Sequence, residues 1–214
     1  MNNNILFVSG IDTNIGKSYA TGFLAKKYIN EGKKVITQKL IQTGNAEISE
    51  DIELHRKIMG IGFTEDDHTK LTMPEIFSFP ASPHLASKLD NRKINFEKIE
   101  SATKTLSKKY DIVILEGAGG LMVPLTEDFL TIDYIAQHHY PVILVTSGRL
   151  GSINHTLLSL EALQKRNIKL HSLIFNMNGI EDTFITNDTI YFLKNYLIKT
   201  YPECEFIILP KINL

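Results

Sequence analysis

A glycine-bounded segment near the start of the chain has residue types that could bind phosphate. Residues 10–18 read Gly-Ile-Asp-Thr-Asn-Ile-Gly-Lys-Ser, between an apolar run that predicts a strand and a segment with helical periodicity. Glycines allow backbone N–H groups to face phosphate oxygens, and a helix N-terminus adds partial positive charge. Lys17 could reach the terminal phosphates of a nucleotide, and the Ser18 hydroxyl could bind Mg²⁺. The segment therefore predicts a phosphate-binding loop, with one residue more between Gly10 and Gly16 than the common pattern has.

Three charged residues lie at the ends of predicted elements, where they could complete such a site. Glu116 follows the apolar run 112–115 and precedes a glycine-rich turn, as the acid that holds Mg²⁺ does in P-loop proteins. Asp51 opens a predicted helix, so it is either a further Mg²⁺ ligand or an acid that the helix dipole favours. Lys39 ends a predicted strand, so it either keeps its ammonium in water at the sheet rim or adds a second cation at the phosphates. With Ser18, the two acids would give Mg²⁺ the oxygen ligands that it prefers.

A second candidate anion site lies at the predicted helix start 151–155. Free backbone N–H groups at a helix N-terminus attract anions. The alternative is that Ser152 simply caps the helix, which is the commoner use of a serine there. The residue types leave both interpretations open.

The hydrophobic pattern predicts the scaffold that would position these residues. Strands are continuous apolar runs that alternate with helices, which is typical of a parallel sheet covered by helices on both faces. The predicted strands are 5–8, 34–38, 111–115, 141–146, 170–175 and 206–209, and the predicted helices are 19–31, 50–59, 95–109, 131–139, 151–166 and 182–199. Residues 63–93 are predicted to be irregular. We therefore expect an α/β fold of the P-loop NTPase type, with a mostly parallel sheet and a single nucleotide-binding domain over residues 1–214.

Ligands of such sheets bind at the carboxyl ends of the strands, so polar residues at those ends should converge. The expected meeting points are the loop 10–18, Lys39 with Thr43, Glu116, residues 147–149 and Asn176.

The composition excludes several functional classes. The formal net charge is −1, and the 214 residues include one cysteine. This charge gives no reason to expect nucleic acid or a membrane as a partner, and no stretch is long and apolar enough for a signal peptide or a membrane span. A chain without an internal disulfide fits a reducing compartment, so we expect a cytoplasmic protein.

Several motifs together resemble the dethiobiotin synthetase family. The loop 10–18 is similar to the family's G-T-D-T-x-V-G-K-T, and residues 39–44 are similar to its K-P-[VI]-x-[ST]-G. Residues 82–84, 116–120 and 150–155 match further family motifs, so the resemblance extends over most of the chain.

The resemblance implies a ligase of biotin biosynthesis that forms C–N bonds. Its substrates would be 7,8-diaminononanoate, CO₂ or bicarbonate, and a nucleoside triphosphate with Mg²⁺. The reaction would pass through an N-carbamate and a carbamic-phosphoric mixed anhydride. ATP is the expected nucleotide and GTP the open alternative, because the sequence stops at Leu214, where the family usually continues with a segment that contacts the base.

The resemblance also implies roles for individual residues. Lys39 would be the catalytic residue, and Ser18, Asp51 and Glu116 would bind Mg²⁺. The implied nucleotide contacts are Thr13, Asn14, Ile15, Gly16, Lys17, Ser18, Asp51, Glu116, Gly117, Ala118, Gly119, Asn176 and Met177. The implied substrate contacts are Thr43 and, reaching in from the second subunit of a homodimer, Gly151, Ser152, Ile153 and Asn154.

Three other functions are compatible with a phosphate-binding loop. A regulatory or partitioning ATPase of the deviant P-loop type would carry a lysine directly after the first glycine, where this chain has Ile11. A small-molecule kinase usually has a lid with arginines, whereas only Arg149 follows a predicted strand here. A nucleotide-binding module without catalysis would have no use for Lys39.

Overall fold

The strands are the elements that carry the predicted site. The computed structural model describes residues 4–178 and 182–213. In chain order its strands are β1 (Ile5–Gly10), β2 (Val35–Lys39), β3 (Gln42–Thr43), β4 (Ile76–Phe77), β5 (Ile112–Gly120), β6 (Val142–Ser147), β7 (Leu170–Asn176) and β8 (Glu205–Leu209). Six of them form one sheet in the order β2-β5-β1-β6-β7-β8, and all neighbouring pairs are parallel.

Helices connect and cover these strands. They are α1 (Lys17–Asn30), α2 (Glu50–Met59), α3 (Glu65–His68), α4 (Pro83–Leu89), α5 (Phe96–Lys109), α6 (Thr131–His138), α7 (Ser152–Lys165) and α8 (Thr183–Thr200). The central strands β1 and β6 are buried along their whole length, which explains why their sequences are continuous apolar runs. The prediction of an α/β fold with a mostly parallel sheet is confirmed.

A single domain over residues 1–214 stays a prediction, and residues 1–3, 179–181 and 214 lie outside the described part of the chain. Within the described part, none of the helices combines the length and the apolar character that a membrane crossing requires.

The expectation that residues 63–93 are irregular is wrong in part. This segment contains α3, β4 and α4, and β4 pairs in parallel with β3 to form a small second sheet. These elements have four, two and seven residues, so none completes enough periods to give a hydrophobic pattern. The small second sheet matters for the site because its strand β3 contains Thr43 and follows directly after β2.

The strand that carries Glu116 is longer than its sequence predicts. The apolar run suggests an end at Leu115 followed by a turn, but β5 continues through the glycines to Gly120, which pairs with Gly10 of β1. Gly117 permits this continuation, because a Cβ atom there would lie 2.9 Å from the ring of Phe7. The glycines therefore allow close packing of β5 against β1.

Candidate active site

The phosphate-binding loop connects β1 to α1 in a conformation that requires glycine at position 16. Gly16 has a φ of 95°, and a Cβ atom there would lie 2.2 Å from Nδ2 of Asn176. Asn176, at the end of β7, donates from Nδ2 to the carbonyl of Ile15 at 2.9 Å. Asn176, one of the predicted nucleotide-binding residues, is therefore hydrogen-bonded to the phosphate-binding loop itself.

Lys17 begins α1 and turns back under the loop. Its Nζ donates to the carbonyl of Asp12 at 3.2 Å, and its side chain is buried. Burial lowers the pKa of Lys17, the nearby Lys39 acts in the same direction, and the charges of Glu116 and Asp51 oppose both. Lys17 thus lies between the loop and a group of charged side chains behind it.

That group consists of Ser18, Lys39, Asp51 and Glu116, hereafter the Lys39 cluster. Lys39 Nζ lies 2.5 Å from Asp51 Oδ2 and 2.9 Å from Glu116 Oε1. Ser18 Oγ lies 2.6 Å from Asp51 Oδ1 and 3.0 Å from Glu116 Oε1. Because Lys39 of β2 pairs in register with Glu116 of β5, the two side chains leave the sheet side by side.

The burial of Lys39 excludes one of its two interpretations. Its side chain is only 5% exposed, so the ammonium does not extend from the sheet rim into water. Asp51 is likewise more than an acid that favours the helix dipole, since it contacts both Ser18 and Lys39.

The charges of the Lys39 cluster stabilise each other. Burial alone would raise the pKa of Glu116, but the charge of Lys39 and the contact with His55 hold that pKa well below its usual range. Burial alone would lower the pKa of Lys39, but Glu116 and Asp51 raise it above its ordinary value. The ammonium of Lys39 and the carboxylate of Glu116 are therefore both charged at neutral pH, although both are buried.

Two residues that contact Glu116 were not predicted from the sequence. Thr21 Oγ1 donates to Glu116 Oε2 at 2.7 Å, and His55 Nε2 lies 2.8 Å from the same oxygen. A helical signal existed for both, because Thr21 is three residues after Ser18 on α1 and His55 is four residues after Asp51 on α2. These spacings place each residue on the same helix face as its predicted neighbour.

An open cavity of about 430 Å³ lies in front of the Lys39 cluster and brings together most of the predicted residues. The predicted residues that line it are Thr13, Asn14, Gly16, Lys17, Ser18, Lys39, Thr43, Asp51, Glu116, Ala118 and Gly119. Tyr19, Ile41, Gln42, Glu50 and Leu54 also line it and were not predicted.

A smaller cavity of about 250 Å³ adjoins the first at Thr13 and Asn14. Ile15, Ser147, Arg149, Asn176 and Asn178 complete its lining, so the ends of β6 and β7 meet there. Arg149 NH2 also lies 2.6 Å from Asp12 Oδ2 across the loop.

Two of the predicted nucleotide contacts line neither of these cavities. Met177 packs against the hydrophobic core, and its N–H donates to the carbonyl of Leu209. Gly117 lies against Phe7, but its carbonyl accepts a hydrogen bond from Lys39 Nζ at 3.2 Å.

The helix start 151–154 does not line the cavity at the Lys39 cluster. Gly151, Ile153 and Asn154 line a separate cavity of about 780 Å³ with residues of α8, among them Phe184. The alternative that Ser152 caps the helix does not hold, because Gly151 occupies the cap position in a left-handed conformation. The hydroxyl of Ser152 is buried instead, 3.3 Å from that of Ser147.

Comparison with known proteins assigns the chain to a family. A family model described as an AAA domain matches residues 4–196. The chain is 51% identical over 210 residues to ATP-dependent dethiobiotin synthetase BioD 2 of Pasteurella multocida, covering 98% of this chain and 99% of that protein. It is 56% identical over 172 residues to ATP-dependent dethiobiotin synthetase BioD 2 of Haemophilus influenzae, covering 80% of this chain and 90% of that protein.

A solved structure supports the fold independently. A plasmid partition protein of Borrelia burgdorferi, described as putative and bound to AMPPNP, superposes with a TM-score of 0.58 over 100% of this chain and 92% of that protein. At 15% identity, that likeness concerns the fold alone. The extent and identity of the sequence matches go further, and by them this chain belongs to the ATP-dependent dethiobiotin synthetase family.

Proposed function

We propose that this chain closes the ureido ring of dethiobiotin from 7,8-diaminononanoate and CO₂ at the expense of ATP. The observation that carries the proposal is the buried ammonium of Lys39, held 2.5 Å from Asp51 and 2.9 Å from Glu116 beside the phosphate-binding loop. Family membership favours this reaction over that of a regulatory ATPase.

The reaction has three steps in which every atom is accounted for. CO₂ adds to one amine of the substrate, which loses a proton and becomes an N-carbamate. A carbamate oxygen attacks the γ-phosphorus of ATP, and ADP leaves. The second amine attacks the carbamate carbon and loses a proton, and phosphate departs with the oxygen that joined carbon to phosphorus.

The cations of the site reduce the electrostatic repulsion between the two anions that react in the second step. Two unit charges of like sign at 4 Å repel by about 4 kcal/mol at the effective dielectric constant near a protein surface. Carbamate and γ-phosphate are both anions, so positive charge must lie between or beside them. We propose that Lys17 binds the terminal phosphates and that Lys39 stabilises the negative charge that develops on the transferring group.

The donor set at the Lys39 cluster fits Mg²⁺. Ser18, Asp51 and Glu116 offer a hydroxyl and two carboxylates, and Mg²⁺ prefers such oxygen ligands together with water and phosphate. Within residues 4–178 and 182–213, no group of three or more His, Cys, Asp or Glu could by itself hold a metal ion. When bound, Mg²⁺ would neutralise charge on the triphosphate.

The remaining ligand contacts follow from the two adjoining cavities. We propose that Thr43 contacts the diamine in the larger cavity and that the nucleotide base lies in the smaller one, near Asn176. ATP is the expected nucleotide and GTP the alternative. A cytoplasmic location also stays a prediction.

A homodimer would explain the position of the second anion site. Residues 151–154 lie outside the Lys39 cavity of their own chain, while the neighbouring Leu150 and Phe184 are 83% and 87% exposed. We propose that these apolar side chains pack against a second subunit. The helix start of each subunit would then bind the substrate's carboxylate in the other subunit's cavity.

The reaction is tested by incubating the protein with 7,8-diaminononanoate, bicarbonate, Mg²⁺ and either ATP or GTP. We expect dethiobiotin by mass spectrometry in a one-to-one ratio with released phosphate. Lys39→Ala should lose the product, whereas Lys57→Ala, which changes an exposed lysine on α2, should retain it. Phosphate release without dethiobiotin would contradict the proposal.

The shared site is tested by mixing two inactive variants. Lys39→Ala removes the cation of one cavity, and Asn154→Asp adds a negative charge at the helix start of the other. Random exchange of subunits should restore about a quarter of wild-type activity, because half of the dimers then contain one intact site of two. Absence of recovery, with subunit exchange confirmed by mass, would exclude a site shared between subunits.

A further inference from the structure

A row of buried polar side chains lies behind the Lys39 cluster and has no part in the reaction steps. It consists of Thr37, His55, Arg56, Asp67 and Thr72, hereafter the buried polar chain, and all five residues are buried. His55 Nδ1 lies 3.0 Å from Thr37 Oγ1, which accepts a hydrogen bond from Arg56 NH1 at 2.7 Å. Arg56 donates to both carboxylate oxygens of Asp67, at 2.9 and 2.7 Å.

The buried polar chain connects Glu116 with Lys39 through hydrogen bonds. At one end His55 Nε2 lies 2.8 Å from Glu116 Oε2. At the other, the Thr72 hydroxyl donates to Asp67 Oδ1 at 2.6 Å, and the Thr72 carbonyl accepts the backbone N–H of Lys39 at 2.7 Å. One continuous network therefore contacts both the acid and the lysine of the cluster.

The hydrogen atoms of this network have a fixed direction. Arg56 can only donate, so the Thr37 oxygen accepts from it. The Thr37 hydroxyl proton then needs an acceptor, and His55 Nδ1 is its other partner among the described residues. The arrangement that gives each of these protons an acceptor has His55 accept at Nδ1 and donate from Nε2–H to Glu116, and we adopt it for the inference that follows.

The contact with His55 fixes the rotation of the Glu116 carboxylate. Thr21 and His55 both donate to Oε2, whereas Lys39 and Ser18 both contact Oε1. Oε2 thus faces the helices α1 and α2, and Oε1 faces the cluster. A carboxylate without these two contacts could turn and present either oxygen at a different angle.

We propose that His55 is a positioning residue, which orients Glu116 so that Oε1 faces Lys39 and the Mg²⁺ of the bound nucleotide. The proposal rests on the proposed function in taking Glu116 as a Mg²⁺ ligand. Arg56 and Asp67 act through Thr37 by keeping the Nε2–H of His55 directed at Glu116. Neither test below requires dethiobiotin to form, so the proposal can fail while the proposed function stands, and the reverse.

The first test is the state of the His55 ring in the wild-type protein. Two-bond ¹H–¹⁵N correlation spectra distinguish the protonated ring nitrogen from the unprotonated one, and His55→Gln identifies the signals by their loss. We expect a protonated Nε2 and an unprotonated Nδ1. A protonated Nδ1, alone or together with Nε2, would overturn the direction of the network.

The second test compares nucleotide binding with and without Mg²⁺, with a non-hydrolysable ATP analogue in a titration calorimeter. His55→Leu removes both ring nitrogens, whereas His55→Gln retains an N–H donor at a similar reach. The gain in affinity due to Mg²⁺ should fall by about 10-fold or more in His55→Leu, the usual scale for loss of a hydrogen bond to a metal ligand. His55→Gln should recover most of that gain, and affinity without Mg²⁺ should change little in either variant.

A matched control separates this role from a loss of packing. His138→Leu removes a partly buried histidine of α6 that stacks on Tyr140 and takes no part in the cluster. It should leave the gain due to Mg²⁺ unchanged. If His55→Leu does not fold, Thr37→Val serves instead, since it removes only the hydroxyl that His55 accepts from. An unchanged Mg²⁺ gain in His55→Leu or Thr37→Val, or equal loss in His55→Leu and His55→Gln, would refute the proposal.

Discussion

Replacement of Lys39 by methionine tests the charge balance of the active site. Methionine retains much of the lysine stem and removes the ammonium. In the wild-type chain that ammonium lies 2.5 Å from Asp51 and 2.9 Å from Glu116, so the variant leaves both carboxylates without their cation. The formal charge of the cluster then changes from −1 to −2, next to the phosphates of the nucleotide.

The expected loss of turnover follows from the role of a single charged contact. Removing one preorganised group that stabilises a developing negative charge costs about 10²- to 10³-fold in kcat. Lys17 and the N–H groups of the loop remain, so affinity for the Mg²⁺ nucleotide should change only a few-fold. A large effect on kcat with a small effect on binding is the signature of a group that acts in the transition state.

The variant should also lose stability in a manner that depends on pH. Removing one partner of a buried ion pair costs about 3–5 kcal/mol. The pKa of Glu116 is held well below 4.5 in the wild-type fold, so its ionisation stabilises the protein above that pH and is lost as the pH falls. Without Lys39, burial should raise the pKa of Glu116, and the variant should hold the protonated acid at little cost. The difference in unfolding free energy should therefore be larger at pH 7 than at pH 4, because it shrinks as the pH falls from the raised pKa of Glu116 in the variant towards the lowered pKa of Glu116 in the wild type.

The assay is dethiobiotin formation by mass spectrometry, together with calorimetric nucleotide binding and urea unfolding at pH 7 and pH 4. Lys57→Met, on the exposed face of α2, is the matched control and should resemble the wild type in all three. A kcat for Lys39→Met close to that of the wild type would refute the catalytic role. A stability difference of equal size at both pH values would refute the electrostatic account of the cluster.

Three further predictions concern the loop, the buried polar chain and the dimer. Gly16→Ala should weaken nucleotide binding by about 10-fold in calorimetry, because position 16 has a φ of 95° and a Cβ there would collide with Asn176; Gly62→Ala, where no atom lies within 4 Å of the added carbon, should not. Asp67 is buried, but its pKa is lowered to about 2 by Arg56, so its ionisation stabilises the fold above pH 3.8 and is lost as the pH falls towards 2. Acid titration of stability should therefore be flatter in Asp67→Asn over that range, and an unchanged slope would contradict this. Phe184→Asp should shift the protein to monomers in analytical ultracentrifugation and lower kcat at the same time.

The fold was predictable because a strand that is buried on both faces of the sheet has a continuous apolar sequence. The continuous apolar runs of β1 and β6 identify a parallel sheet without knowledge of strand order. Strand order was not needed for the site either, since every strand of such a sheet presents its carboxyl end at the same edge. That rule alone brought Lys39 and Glu116 together in the prediction.

What the sequence could not give depends on tertiary contacts. The in-register pairing of Lys39 with Glu116 is a property of two strands that are far apart in the chain. The short elements of residues 63–93 lack a full hydrophobic period. Gly151 caps α7, and the Ser152 hydroxyl is buried beside that of Ser147, a contact that capping preferences do not include.

The role proposed for His55 likewise could not be predicted from the sequence, because it depends on a tertiary contact. A histidine in a helix is no signal by itself, and its role depends on Glu116 lying 2.8 Å away across the sheet-to-helix packing. Only its spacing of four residues from Asp51 could have drawn attention to it.

In the proposed reaction the Lys39 cluster activates a carbamate and not a water molecule. The most direct measurement is the isotopic composition of released phosphate in a brief turnover with ¹⁸O-labelled CO₂ in unlabelled water. Since phosphate leaves with the oxygen that joined carbon to phosphorus, we expect one oxygen from CO₂ in each phosphate formed. Phosphate whose new oxygen comes from the solvent would mean that water attacks the nucleotide, as in a regulatory ATPase, and would exclude activation of a carbamate.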